Sequence, residues 1–176
     1  MTPLDVPRLP MTAEEFERMP PVEGLRIELS EGNLDVAAAA QMRWHALVMR
    51  KIGSLFEAAG HEVSYETGVV LAHRTVREPD VTRFRIGVEP GYRRSQFPVA
   101  DVDLVVEVVS PESAKRDRVI KPDEYAAAGI AGFWLVDEHP EDEADAVINM
   151  YRLAADGAYT LIRSVDLSGL IGENQG

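Results

Sequence analysis

Cysteine is missing from this chain of 176 residues. Its absence excludes disulfide bonds and thiolate metal sites, so histidine and carboxylate side chains are left as the metal ligands to look for. A chain without cysteine also fits a cytoplasmic location, where disulfides are rare. The apolar fraction of 45% is that of ordinary globular proteins.

The sequence also lacks the signatures of several protein classes. No apolar run is long enough to span a bilayer, and the first residues do not resemble a signal peptide, so we expect no membrane partner. Without a G-x-G-x-x-G or Walker sequence, no nucleotide cofactor is indicated. Ser110 and Ser113 lack the glycine-bracketed turn of a serine nucleophile. A small-molecule α/β enzyme that uses His45 and a carboxylate is therefore a weaker hypothesis.

Positive charge is scarce over the whole chain, whose formal net charge is −12. This balance argues against a protein that coats nucleic acid nonspecifically. Between Arg74 and Lys121, however, ten basic residues stand against eight acidic ones, so this span carries +2 and the rest of the chain −14. A phosphate-bearing substrate therefore stays compatible with the composition.

The spacing of apolar residues and turn formers predicts alternating helices and strands. Helices are predicted over 13–18, 41–59 and 114–128, and Pro122 fits best as a first helical residue because it lacks an N–H. Strands are predicted over 25–30, 34–36, 62–65, 69–72, 79–84, 104–109, 133–137, 146–153 and 158–163.

The connections between these elements predict their pairing. The first two strands form an N-terminal hairpin, the next two pair around Thr67-Gly68, and the last two form a second hairpin. Because one helix links 104–109 to 133–137, these two strands run parallel. We predict one α/β domain (α+β by some counts) over 11–163, with a mixed central sheet flanked by helices. We expect flexible termini over 1–10 and 164–176.

Glu107 stands inside the most apolar run of the chain, Leu104 to Val109. Apolar residues occupy both alternating faces of this strand, as in a central strand that is buried on both sides. An ionised carboxylate there is costly unless it is compensated. A metal ion, a basic side chain such as that of Arg83, or protonation of the carboxyl group would each compensate it. Glu107 is therefore the first candidate for a functional residue.

Asp80, Lys121 and Glu28 are the next candidates. Asp80 follows Pro79 at the start of a strand, Lys121 lies at the start of the crossover helix, and Glu28 lies in the first hairpin. An Asp and a Glu on neighbouring strands can share a Mg²⁺ ion, and a backbone carbonyl such as that of Val108 can add a ligand. Such an ion activates water, and a nearby lysine can orient that water or stabilise the phosphate.

Four segments of the chain carry a family resemblance: Glu78 to Val81, Asp103 to Ser113, Lys121 to Ile130 and Phe133 to Asp137. The block from Asp103 to Asp137 is the specific part, whereas Pro79-Asp80 alone is not specific. Together with Arg26-Ile27-Glu28-Leu29 and His45, the four segments resemble the Uma-two family of restriction-endonuclease-like proteins. That family belongs to the PD-(D/E)XK nuclease superfamily, and the resemblance covers roughly Met11 to Arg163. It implies a restriction endonuclease-like core.

The resemblance implies that Asp80 and Glu107 are the metal carboxylates of a DNA endonuclease that uses Mg²⁺, with Mn²⁺ as a substitute. The superfamily pattern places a lysine two residues after the Glu, where this chain has Val109. In the family the lysine moves to the following helix, which nominates Lys121.

The resemblance and the neighbouring residues also predict supporting side chains, an alternative function and the oligomeric state. Glu28, His45 and Tyr125 are expected to support the site. The alternative is a nuclease-fold protein that binds nucleic acid or regulates an assembly without cutting, motivated by Pro122 beside the displaced lysine and by the acidity. A homo-oligomer, dimeric or larger, is also expected.

Overall fold

The computed structural model describes residues 9–38 and 42–174. Four α-helices are present there: α1 (Ala13–Glu17), α2 (Arg43–Ala58), α3 (Lys121–Ala127) and α4 (Leu167–Glu173). A 3₁₀ turn (Val99–Asp101) and a π-helical turn (Arg116–Ile120) supplement them. The strands are β1 (Leu25–Ser30), β2 (Asn33–Ala38), β3 (Val63–Tyr65), β4 (Gly68–Ala72), β5 (Thr75–Arg77), β6 (Val81–Phe84), β7 (Gln96–Pro98), β8 (Val102–Val108), β9 (Gly132–Glu138), β10 (Ala146–Leu153) and β11 (Tyr159–Asp166).

The strands form two mixed sheets with helices packed around them, which confirms the mixed α/β architecture. The first sheet has the order β2-β1-β5-β4-β7, and the second has the order β11-β10-β9-β8-β6-β3. The hairpins β1–β2 and β10–β11 are antiparallel, and β8 runs parallel to β9, as predicted. No helix in the described ranges has both the length and the apolar character needed to cross a membrane.

The predicted pairing of the strands around Thr67-Gly68 is wrong. β3 pairs with β6 in the second sheet, whereas β4 pairs with β5 and β7 in the first. Glu66 has a φ of 49° between them, so the backbone turns out of one sheet and into the other. The sequence pattern missed β5 and β7 because three residues are too few to show an alternation.

Strand β8 is buried on both faces, as its sequence indicates. Leu104, Val106 and Val108 pack in the apolar cluster that contains α2 and α4. The opposite face, with Val105, packs in a second cluster that contains Tyr125 of α3. Strand alternation places Glu107 on this second face.

The helical segment before β9 corrects the interpretation of Pro122. The chain is helical from 114 to 127, and Pro122 is the second residue of α3 rather than the first of a helix. A proline inside a helix lacks an N–H and crowds the carbonyl four residues earlier, which is here that of Arg118. The π-helical turn directly before α3 contains Arg118 and widens the helix at that point. The helix therefore passes through the proline.

The expected flexible segment from 164 onward is wrong for residues 164–173. Strand β11 continues to Asp166, and α4 follows it directly. Leu167 and Leu170 of α4 are buried in the same apolar cluster as α2. Their spacing, with Ile171 after them, is that of a short amphipathic helix, a signal that its short length concealed. Residues 1–8, Gln41 and 175–176, for which we also made predictions, lie outside the described residues.

We predict that Leu167→Ala lowers the free energy of unfolding by about 2–5 kcal/mol, because it leaves a cavity under α4. Leu161→Ala is the matched control, since Leu161 of β11 is 50% exposed whereas Leu167 is fully buried. The control should change stability by about 0.5 kcal/mol or less. Urea unfolding measures both values. Equal effects of the two substitutions would contradict the docking of α4.

Candidate active site

The six predicted side chains come together where the two sheets meet. Glu28 comes from β1 of the first sheet, and Glu107 from β8 of the second. Asp80 lies in the segment that leads from β5 in one sheet to β6 in the other. His45 comes from α2, while Lys121 and Tyr125 come from α3. All six are buried.

Asp80 lies close to Glu107, at the end of β8 where the pairing with β6 begins. Val81, the first residue of β6, lies opposite Val106 of β8, and Asp80 directly precedes Val81. The Asp80 carboxylate accepts a hydrogen bond from the N–H of Val108 at 2.6 Å, which ties it to the end of β8.

The Glu107 carboxyl group is compensated by α3. Lys121 donates from Nζ to its Oε1 at 3.0 Å, and Tyr125 donates to the same oxygen from its hydroxyl group. Arg83 is not its partner, because Arg83 pairs with Asp103 at 2.8 Å. Burial raises the pKa of Glu107 to about 8, although Lys121 acts in the opposite direction. Both a basic side chain and partial protonation therefore contribute to its compensation.

The Lys121 ammonium group lies among three carboxyl groups. Its Nζ is 3.0 Å from Glu107, 3.3 Å from Glu28 and 3.5 Å from Asp117. Burial lowers the pKa of Lys121, but these acids outweigh it and raise the pKa above its ordinary value. Lys121 is therefore charged at neutral pH and is held in place from three directions.

The pKa of Asp80 is shifted in the opposite direction to that of Glu107. Arg26 donates from Nη1 to its Oδ1 at 3.0 Å, and His45 Nε2 lies 3.3 Å from its Oδ2. Burial raises the pKa of Asp80, but the bonds to His45 and Arg26 outweigh burial and lower the pKa below its ordinary value. The site thus holds the ionised carboxylate of Asp80 and the carboxyl group of Glu107, which retains a proton more readily. Such a difference in pKa between two acids is common in acid–base sites.

His45 connects Asp80 to the backbone of β8. Its Nε2 lies 3.0 Å from the carbonyl oxygen of Val108, in addition to its contact with Asp80. Both neighbours accept hydrogen bonds, so the proton belongs on Nε2. Burial lowers the pKa of His45, but the bond to Asp80 raises it more, so the pKa lies above its ordinary value. His45 is thus part of the site rather than a packing residue alone.

A cleft of about 310 Å³ opens onto this cluster. Asp80, His45, Arg26, Arg116 and Asp117 line its polar part. Its other walls are mostly apolar and consist of Ala37, Ala38, Met42, Trp44, Val108, Val109 and Pro111, beside Ser110, Glu112 and Ser113. The Glu107–Lys121 pair is not among the lining residues and lies behind them.

Sequence reasoning missed Arg26 and Asp117. Arg26 lies two residues before Glu28 on β1, which puts the two side chains on one face of the strand. Asp117 lies one helical turn before Lys121, within the segment that was predicted to be helical. Both periodicities were available in the sequence and would have nominated these residues.

The donor set suits a hard divalent cation. Mg²⁺ is usually held by one or two carboxylates with waters and phosphate oxygens, rather than by a closed protein cage. Asp80, Glu107 and the carbonyl of Val108 are oxygen donors of that kind, and Asp117 Oδ1 is buried without a hydrogen-bond partner. Within the described ranges, no group of three or more histidine or acidic side chains is arranged to hold a metal ion as a preformed cage.

Comparisons with known proteins agree with this architecture. A family model described as "Uma2: Putative restriction endonuclease" matches residues 13–173. A crystal structure from Anabaena variabilis, titled as that of "a putative nuclease belonging to DUF820", has a similar fold, with a TM-score of 0.64. Its sequence is 19% identical, and the match covers 89% of this chain and 84% of that one. A search of curated proteins found no match.

We predict that, in EDTA, the free energy of unfolding falls as the pH rises from about 4.5 to about 8. Burial raises the pKa of Glu107 to about 8 and that of Glu78 to about 7, against an ordinary value of 4.5. The folded state then binds more protons than the unfolded state in this window, so its stability is greatest below the window and is lost through it. Thermal unfolding across this pH range measures the slope.

Glu107→Gln tests the assignment, because glutamine cannot ionise. In this variant the free energy of unfolding should fall less steeply with pH than in the unchanged protein. Asp103→Asn is the control, since Asp103 is a half-buried, arginine-paired carboxylate on the same strand. If Glu107→Gln left the slope unchanged, the assignment of the titration to Glu107 would be wrong.

Proposed function

Since the chain belongs to the Uma2 family of restriction-endonuclease-like proteins, we propose that it is a Mg²⁺-dependent DNA endonuclease. The observation that carries the proposal is that Asp80, bonded to the N–H of Val108, and Glu107 lie at the same end of β8, with Lys121 hydrogen-bonded to Glu107. These are the two carboxylates and the lysine that phosphodiester hydrolysis of this kind requires. The nuclease-like architecture supports the proposal.

In this proposal, Asp80, Glu107 and the carbonyl of Val108 hold the ion. When bound, the ion lowers the pKa of a water ligand and offsets the charge that develops on the phosphate. Mn²⁺ has the same charge and accepts the same oxygen ligands, so it should substitute.

Lys121 takes the role of the lysine that is absent at Val109. Its ammonium group is charged and fixed by three carboxyl groups, which suits it to orient the attacking water or to stabilise the phosphate. Glu28 and Asp117 position Lys121, Tyr125 positions Glu107, and His45 positions Asp80.

A non-cleaving function is the second candidate, and one observation favours it. Glu107 already accepts hydrogen bonds from Lys121 and Tyr125 and lies behind the lining of the cleft. If these contacts persist when a metal ion is offered, the site binds without hydrolysing. The protein would then act as a nucleic-acid-binding or regulatory module.

Oligomerisation and a cytoplasmic location also stay predictions. Leu161 and Ile162 are half exposed on β11, the last strand of the second sheet, and such a strand can pair with a second copy. A two-fold pair is the usual arrangement of a homodimer.

We predict that Asp80→Asn, Glu107→Gln and Lys121→Ala each lower the rate of metal-dependent DNA cleavage by at least about 10²-fold. This is the scale of loss when one group that stabilises a transition state is removed. Gel assays with single-stranded, duplex and supercoiled DNA in Mg²⁺ and in Mn²⁺ measure the rates. Asp103→Asn should cleave at the rate of the unchanged protein, because Asp103 pairs with Arg83 away from the cleft.

A thermal-shift titration separates the two candidate functions. An endonuclease should be stabilised by Mn²⁺, and Asp80→Asn should abolish that shift. A shift without cleavage of any substrate would favour the non-cleaving module. If Mn²⁺ produced no thermal shift and no DNA were cleaved, the metal site itself would be refuted.

A further inference from the structure

Unpartnered polar atoms are concentrated around the cleft. Five buried side-chain nitrogen or oxygen atoms in the described ranges have no hydrogen-bond partner, and four of them belong to Arg26, His45 and Asp117. Of these four, Asp117 Oδ1 has an ion-pair contact, 3.5 Å from Lys121 Nζ. All three residues line the cleft. Since buried polar atoms are nearly always paired in folded proteins, this concentration indicates a polar ligand.

Arg26 presents the most informative of these atoms. Its Nη1 donates to Asp80, while its Nε and Nη2 are buried without a hydrogen-bond partner. Glu78 Oε2 lies 3.9 Å from Nε, which is too far for a hydrogen bond. Nε and Nη2 form one edge of the guanidinium plane, with two parallel N–H groups. That edge matches two oxygens of a phosphate in the bidentate geometry that arginine favours. Both nitrogens are closed to solvent, so the side chains around them must move for a phosphate to reach them.

The size and the apolar walls of the cleft limit which phosphate-bearing ligand fits it. Its volume of about 310 Å³ is at the lower end for small-molecule pockets, ~300–1,000 Å³. Trp44, Met42 and Pro111 form an apolar wall, and Trp44 is fixed by a hydrogen bond from its Nε1 to the carbonyl of Asp145 at 3.0 Å. Aromatic faces bind unstacked bases of any sequence.

The same features do not suit an intact duplex. Duplex-binding proteins present a broad and strongly basic surface to the two phosphate backbones. The basic residues that line this cleft are Arg26 and Arg116, and each is paired with an aspartate, Asp80 and Asp35 respectively. Glu112 also lines it, and the chain carries a net charge of −12.

We propose that the cleft binds one unpaired nucleotide of a DNA strand, with a phosphate on the Nε–Nη2 edge of Arg26 and the base against Trp44. This assignment rests on the proposed nucleic-acid function and names its substrate class: single-stranded or locally unpaired DNA. Arg26 is then the group that places the phosphodiester beside the Asp80–Glu107 pair.

Binding measurements test this assignment without relying on cleavage. The probe is a fluorescent oligonucleotide of about ten nucleotides, within the usual range of ~4–16 for single-strand sites. Its affinity is measured by anisotropy, alone and annealed to its complement, in EDTA and in Ca²⁺, which offers the charge of Mg²⁺ with looser geometry. The unpaired strand should bind at least about tenfold more tightly than the duplex, as expected if the duplex must lose one charge-assisted contact.

Substitutions identify the residues that hold the strand. Arg26→Lys keeps the charge beside Asp80 but removes the two parallel N–H groups, so affinity for the unpaired strand should fall about tenfold. Arg83→Lys is the matched control, since Arg83 has a similar exposure, 23% against 19%, and pairs with Asp103 outside the cleft. It should change affinity by less than about twofold, within the scatter of a surface ion pair. Trp44→Leu, which leaves Arg26 intact, should also weaken binding of the unpaired strand.

The outcomes separate this proposal from the endonuclease function. Equal or tighter binding of the duplex, or equal effects of Arg26→Lys and Arg83→Lys, would overturn the single-strand assignment even if metal-dependent cleavage occurs. If Arg26→Lys does not fold, unchanged binding by a folded Trp44→Leu variant would overturn it as well. Arg26-dependent binding of the unpaired strand without any cleavage would uphold the assignment and refute the endonuclease.

Discussion

The burial of the Glu107 carboxyl group is the constraint on which the rest of the site depends. A carboxylate that is 1% exposed, in a strand packed on both faces, is tolerated only if other groups compensate it. Lys121 and Tyr125 do so from one helix, which ties α3 to β8. Lys121 then needs further acids around it, and Glu28 of the first sheet is one of them. The two sheets and the crossover helix are thus connected through one buried charge network.

The network gives its two central acids different properties. Asp80 accepts hydrogen bonds from a backbone N–H and an arginine and contacts His45, so it is ionised. Glu107 is desolvated, and its pKa is raised because burial outweighs Lys121. Because Glu107 holds a proton more readily than Asp80, a cation bound at the proposed metal site has to displace that proton, so its affinity should depend on pH.

Much of this site follows from patterns that the sequence displays. The charged residue in an apolar strand identified Glu107, and the parallel pairing of β8 and β9 followed from one linking helix. The division into two sheets could not be predicted from the sequence, because β5 and β7 are only three residues long and β7 pairs with a strand distant in sequence. The position of Arg26 on the same face of β1 as Glu28 can be read from the sequence, but its N–H groups without partners cannot, because hydrogen-bond satisfaction is a property of the packed structure.

Lys121 reaches Glu107 from the helical segment after β8 rather than from β8 itself. A lysine at position 109 would lie two residues after Glu107 on the same face of the chain, whereas Lys121 reaches the same carboxylate from the helix that packs on that face. The helix needs Asp117, Lys121 and Tyr125 on successive turns for this, and Pro122 would interrupt them in a regular α-helix. The π-helical turn before α3 removes that conflict. A local change of helix geometry therefore accommodates the proline while the Lys121 ammonium group stays beside Glu107.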